Sequence, residues 1–331
     1  MNKHLLSVLA AACLLPATLL ATDIPVNPSN FEESWAAAAD GDVLVMEGGN
    51  YNVTFNLQAN KTITLRAAEG QEVVLQRGPN IGEQSEQVGL ICDGITIHLK
   101  SGDHFMRFSA ASVKTLEFRN CIIEEIPRCF FYATGNSPIE QIVFQGCTIR
   151  ECGTKGYCFI WSKACVARLI VSGCTLYNYT DGESFFYQSD RRSNCQMELT
   201  FEGNTVSKWG VGDGDSFPFI NVTGNLGSQS TYTFRNNIFA ESSIKANTPN
   251  IITTEQGTVK AQNNLVIGFG TYNASGSAQS QVDDLSAKTL KLKDGPGFPN
   301  AMGGDFTLPD GSPLRTAGTD GKAVGDPRWA K

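Results

Sequence analysis

Through its middle the chain repeats a short cycle of apolar and polar positions. One copy reads Leu116-Glu-Phe118-Arg-Asn120-Cys121-Ile122, the next Ile142-Val-Phe144-Gln-Gly146-Cys147-Thr148, and the next Leu169-Ile-Val171-Ser-Gly173-Cys174-Thr175. The cycle continues around Asn204, Asn237 and Asn264, and a degenerate earlier copy has Ile95 at the same place. These anchors, 95, 121, 147, 174, 204, 237 and 264, are spaced 26, 26, 27, 30, 33 and 27 residues apart. Each copy reads as a short strand, a polar or glycine bend and a second short strand. A unit so short cannot bury its own apolar face, so successive copies must stack as coils of a solenoid.

After each anchor come a variable loop and a third apolar run. These runs occupy residues 130–134, 159–163, 185–189 and 218–222. Alternation sends Phe131, Ile160, Phe186 and Phe219 inward. The same alternation sends Phe130, Phe159 and Phe185 outward, with Tyr132, Trp161 and Tyr187 and then Thr134 and Lys163. The expected product is an aromatic stripe on the outer face of one sheet. Pyranose faces are apolar and Tyr and Trp keep a polar handle, so a sugar chain could stack there. The competing reading is that the tail or the adjoining loops cover the stripe, because large aromatic patches are normally covered.

At the start, Ser29 and Glu32 have capping-box spacing and predict a helix over 30–39 with Phe31 and Trp35 apolar, placed to cover the first coil. Short strands are expected at 43–46, 62–65 and 73–75. Past Gly270 the repeat gives way to a Ser/Ala-rich and then Gly/Pro-rich tail, expected to pack along the stack or to cap its far end. The division is therefore 1–22, 23–270 and 271–331.

Residues 1–22 carry Lys3, an apolar run from Leu5 to Leu20 and a small residue at Ala21, the composition of an export signal cleaved near Ala21 or Thr22. Cys13 offers a weaker lipoprotein reading. No other stretch is apolar enough to span a membrane. Lys3 is the only counted charge in that segment, so its removal leaves 25 basic against 33 acidic residues, a net charge of −8. That balance argues against nucleic acid. An acidic glycan would need a bridging cation or a local basic patch. A capped solenoid gives no reason to expect assembly, so a monomer is expected.

The segment Ala36–Tyr51, with its Gly41-Asp42 and Gly48-Gly49-Asn50-Tyr51, resembles the opening of pectin-lyase-like right-handed parallel β-helices. The ending, with Ser312-Pro313, Gly325-Asp326-Pro327 and Trp329, is similar to the tail of exported β-helix proteins of gut-type, Bacteroidetes-like bacteria. The resemblance spans about 23–329 and implies an all-β, single-stranded right-handed parallel β-helix of about 8–9 coils with an N-terminal capping helix. It also implies that Cys121, Cys147 and Cys174 form a column continued by Asn204, Asn237 and Asn264, because such folds stack Asn side chains at this bend. The third strand would line the substrate groove. Equal offsets set Cys165 beside Cys195, either as a disulfide or as stacked thiols, and Cys129 beside Cys158 as a second such pair.

In the loops before the third strands, Asp181, Glu183, Asp213 and Asp215 fall at similar offsets from successive anchors. They read either as ordinary turn residues or as oxygen ligands for Ca²⁺, or as an acid–base pair for glycoside hydrolysis. Lys163 and Arg191 are the candidates for lyase chemistry, which removes the proton α to a uronate carboxylate and stabilises the enolate. The Asn-Thr-Asp, Asp-Asp and Arg-Ile-Lys signatures of the pectin hydrolases are absent. So is the Trp-Ile-Asp-His of pectate lyases; Asp103-His104 lacks that context. The sequence reading is an exported β-helix that engages plant or host polysaccharide through Tyr132, Trp161, Tyr187, Phe159 and Phe185. As an enzyme it would be a lyase rather than a hydrolase; the alternative is a non-catalytic glycan-binding or structural, adhesive solenoid.

Overall fold

A computed structural model describes residues 21–83, 85–109, 111–179, 181–188, 195–209, 217–222, 227–240, 248–285, 292 and 295–331. Residues 1–20 of the segment 1–22 read above as an export signal, together with Arg191, Asp213 and Asp215, lie outside the described residues. The chain winds as a right-handed parallel β-helix with three strands per coil. Every pairing between named strands is parallel, and each strand pairs with its counterpart in the next coil. Thus Leu116, Ile142, Leu169, Leu199, Tyr232 and Val259 stand in one row of the first sheet, all buried. Ile97, Ile123, Ile149, Leu176, Val206 and Phe239 form the matching row of the second. Strand Thr258–Ile267 runs through the corner and joins these two sheets into one of 19 strands; the third sheet has seven.

The corner between the first two sheets explains the sequence repeat. The residue before each anchor is Asn120, Gly146, Gly173, Gly203, Asn236 or Asn263, and their φ values run from 52° to 64°. Only Gly, and at modest cost Asn, enters this left-handed region readily, which is why the repeat alternates between those two residue types there. The anchors then point inward and stack. Asn204 Nδ2 donates to Asn237 Oδ1 (3.1 Å) and Asn237 Nδ2 to Asn264 Oδ1 (2.8 Å). Each amide also donates to a backbone carbonyl, from Val171, Phe201 and Phe234 in turn. Above Asn204 the column becomes buried thiols, joined to it where Cys174 N–H donates to Asn204 Oδ1. At the other end the column finishes on Asp284, which accepts from Asn264 Nδ2 and from the Tyr272 hydroxyl, both at 2.6 Å. Burial pushes the Asp284 carboxyl above the usual carboxylate value.

The N-terminal helix, Phe31–Ala37, closes the first coil with Phe31 and Trp35 buried. Its cap differs from the expected capping box. Asn30, not Ser29, is the N-cap, and its side chain turns back to accept from Asn27 N–H. Trp35 Nε1 is satisfied by the Asn56 carbonyl at 2.8 Å.

Stacking continues beyond Gly270. Tyr272–Ala274 pairs with Ile252–Thr254, and Gln279–Leu285 pairs with Thr258–Ile267. The remaining tail runs back along the outer face of the second sheet. Asp326 is buried there, accepting from Thr175 Oγ1 (2.6 Å), while Trp329 Nε1 donates to the same Thr175 oxygen (2.7 Å). Arg328 pairs with Asp326 and donates to the Cys147 carbonyl. Leu308, Leu314 and Val324 pack with Ile238, Ala240 and Leu265 in a second apolar cluster.

Candidate functional site

The third sheet separates aromatic residues into two columns. The inner column is Phe105, Phe130, Phe159, Phe185 and Phe219, with neighbouring ring centroids 4.6, 5.1, 5.4 and 5.4 Å apart and planes within 16° of parallel. All five are buried, so the expectation that Phe130, Phe159 and Phe185 face outward is corrected. The reason lies at the bend. Strands Phe131–Ala133, Ile160–Ser162 and Phe186–Gln188 begin one residue later than each Phe. Alternation does not hold across a corner, so two successive side chains turn into the core. The register at Phe219 also shifts by one from the sequence alignment: Phe186 pairs with Ile220, and Phe219 stacks on Phe185.

Alternation does hold within the strands and produces the outer column. Arg107, Tyr132, Trp161, Tyr187 and Asn221 are direct partners in successive strands. Tyr132, Trp161 and Tyr187 are half-buried, with centroids 4.8 and 6.3 Å apart. Arg107 lies 5.6 Å from the Tyr132 ring centroid, and the Lys163 ammonium lies 5.6 Å from that of Trp161. Both distances suit cation–π attraction. The Asn221 Oδ1 finds no partner among the described residues. The tail contacts described above all fall on the second sheet, not on this column.

His104 extends the column in a way the sequence did not reveal. Its ring stacks on Tyr132 at 4.8 Å and 9°, and its Nδ1 accepts the Cys129 N–H at 3.2 Å. Burial pushes its pKa down, with neighbouring Asp103 opposing the shift. A neutral ring accepting at Nδ1 carries its proton on Nε2, so His104 is held as a hydrogen-bond donor. Tyr157 meets Tyr132 edge-on at 5.7 Å, their hydroxyls 3.5 Å apart. That contact, with burial, raises the Tyr157 pKa to about 12 and keeps it a neutral phenol. The only sequence signal for His104 was its position just before a third strand; the stacking depends on a ring from the next coil.

The acidic candidates divide. Asp181 is exposed, whereas Glu183 is half-buried and accepts from the Cys158 thiol at 3.2 Å. Gly182 between them serves packing rather than turn geometry: a Cβ there would lie 1.4 Å from the Tyr179 ring. Cys158 and Cys129 are free thiols, not a second disulfide; burial, then the nearby Glu183 carboxylate, raises both pKa values. Cys165 and Cys195 are bonded, with Cα atoms 5.5 Å apart.

The model of a domain of unknown function, DUF5123, matches residues 169–329. No curated protein matches the chain. Among solved structures, a PL6 family alginate lyase, AlyGC, aligns with 78% of this chain and 40% of its own at 16% identity and a TM-score of 0.44. A point mutant of that enzyme aligns over the same shares at 17% identity and a TM-score of 0.45. The chain thus spans 40% of the length of these structures.

Proposed function

We propose that this protein is an exported β-helix that binds a plant or host polysaccharide along the outer face of its third sheet. The observation that supports the reading is the register of Tyr132, Trp161 and Tyr187, direct partners in successive coils and only half-buried. Coils repeat about every 4.8 Å, so the rings form a continuous apolar track along the helix axis. The exposed edges of the rings rest against the sugar faces, while hydroxyls and the His104 Nε2–H meet the sugar's polar rim. Phe159 and Phe185 drop out of the binding set and act beneath it, holding the strands that display the track. Affinity electrophoresis in glycan-containing gels tests the reading. The wild-type protein is retarded and Trp161→Ala migrates freely; equal retardation of the two would refute it.

A second reading, lyase-type elimination on a uronate-rich glycan, draws on Lys163. Its ammonium over the Trp161 ring would stabilise the negative charge that develops on the uronate carboxylate, a role for a cation rather than a base. Arg191 would be the second basic group. Ca²⁺, if required, would draw on Asp181, Asp213 and Asp215, with Glu183 released from Cys158; it would supply a further positive charge at the carboxylate. Ultraviolet absorbance of unsaturated uronate products, with and without Ca²⁺, tests this. Product formation lost in Lys163→Ala supports it, and absence of product leaves a binding protein.

A further inference from the structure

Eight of the ten described arginines have a carboxylate within salt-bridge distance: Arg66, Arg119, Arg128, Arg150, Arg168, Arg235, Arg315 and Arg328. Arg77 and Arg107 have none among the described residues. These same two arginines line one cleft of 360 Å³, together with Thr54, Asn80, Ser101 and His104. The cleft lies at the N-terminal end of the aromatic track, since Arg107 is the strand partner of Tyr132.

The cleft is built rather than incidental. Arg77 Nε donates to Asn52 Oδ1 at 2.8 Å, and Nη1 reaches Thr54 Oγ1 at 3.5 Å, so neutral groups orient the guanidinium without neutralising it. Arg107 rests over the Tyr132 ring. The cleft wall depends on Gly78, where a Cβ would fall 1.5 Å from the Phe105 carbonyl oxygen. Asp103, the acid next to His104 in the chain, is already engaged by Lys155 at 2.7 Å and Arg128 at 3.8 Å. In a chain of net charge −7, this leaves a local excess of unpaired positive charge beside a stacking surface.

We infer that Arg77 and Arg107 form a carboxylate-recognising subsite, so that the glycan on the track is a polyuronate entering this cleft with an acidic sugar. The inference rests on the track being a glycan-binding surface. A uronate carries its carboxylate rigidly at the ring edge. A pyranose resting against the exposed edge of Tyr132 therefore presents that group sideways, towards the Arg107 guanidinium 5.6 Å from the ring centroid. Planar guanidinium groups match planar carboxylates with paired hydrogen bonds. A sulfate ester offers similar oxygens on a flexible link and is the chemistry to be distinguished.

The test is affinity electrophoresis of the full chain against polygalacturonate, dextran sulfate and a neutral xyloglucan at two salt concentrations. Arg77→Gln/Arg107→Gln is compared with Trp161→Ala; both arginines are exposed, and circular dichroism checks the fold. The double variant is expected to weaken polygalacturonate binding about tenfold or more and to flatten its salt dependence. Any retention on xyloglucan should be unchanged. Wild-type affinity of the double variant for polygalacturonate would overturn the subsite even if Trp161→Ala abolishes binding, in which case the track stands alone. Loss in the double variant but not in Trp161→Ala would support the subsite and refute the track. Equal loss on dextran sulfate and polygalacturonate would overturn carboxylate selectivity, and a wild-type protein retarded by none of the polymers would overturn both.

Discussion

The inner and outer aromatic columns of the third sheet lie two residues apart along each strand, yet they do opposite work. Phe130, Phe159 and Phe185 are hydrocarbon rings stacked face to face in the core. Tyr132, Trp161 and Tyr187 carry polar atoms and stay half-buried, and Tyr132 and Trp161 each hold a cation near the ring. The inner set uses stacking to fix the coil repeat. The outer set inherits that repeat as a display spacing. Aromatic content alone therefore does not mark a binding surface; a polar atom on the ring and an outward strand position do.

The largest expected effect breaks the inner column. Phe159→Ala should cost about 3–5 kcal/mol of stability by leaving a cavity between Phe130 and Phe185, measured by denaturant unfolding. Trp161→Ala, two residues on, should cost under about 1 kcal/mol while abolishing glycan retention. Equal losses would erase the distinction between the columns. Next, Cys165→Ser/Cys195→Ser removes a cross-link of sequence separation 30. It should lower stability by about 3 kcal/mol without changing retention, since neither cysteine belongs to the third-sheet strands that carry the track. Asn237→Ala sharpens the comparison at the corner. It strands the Asn204 N–H and the Phe201 carbonyl, and about 2–3 kcal/mol should be lost.

The smallest effect is at Asp284. Its folded-state pKa lies above the ordinary 3.8, chiefly through burial. Its contribution is therefore fully present below that value and is lost as pH rises through the higher folded value. Asp284→Asn should extend the amide column, flatten this part of the pH–stability profile and leave neutral-pH stability equal or slightly higher. A marked loss at neutral pH would show that the ionised form is needed.

Much of the fold was legible because its causes are local. An Asn or Gly before each anchor reports a left-handed corner, and the apolar spacing reports the strands. Equal offsets placed Cys165 beside Cys195 and Trp161 between the two tyrosines. The inner Phe column was misread because strict alternation was carried through a corner where two side chains turn inward together. Phe219 was misaligned because a loop of different length precedes it, and loop length leaves no mark on register. The stacking of His104 and the Arg77–Arg107 cleft were not legible. Their partners come from neighbouring coils, 25 or more residues away in sequence. The tail's path was undetermined for the same reason: Asp326 and Thr175 meet across 151 residues.

A co-crystal structure with an oligouronate tests the central claim most directly. The account places successive pyranose rings over Tyr132, Trp161 and Tyr187, parallel to the helix axis. An oligosaccharide bound on the first or second sheet, with the three rings left bare, would contradict it.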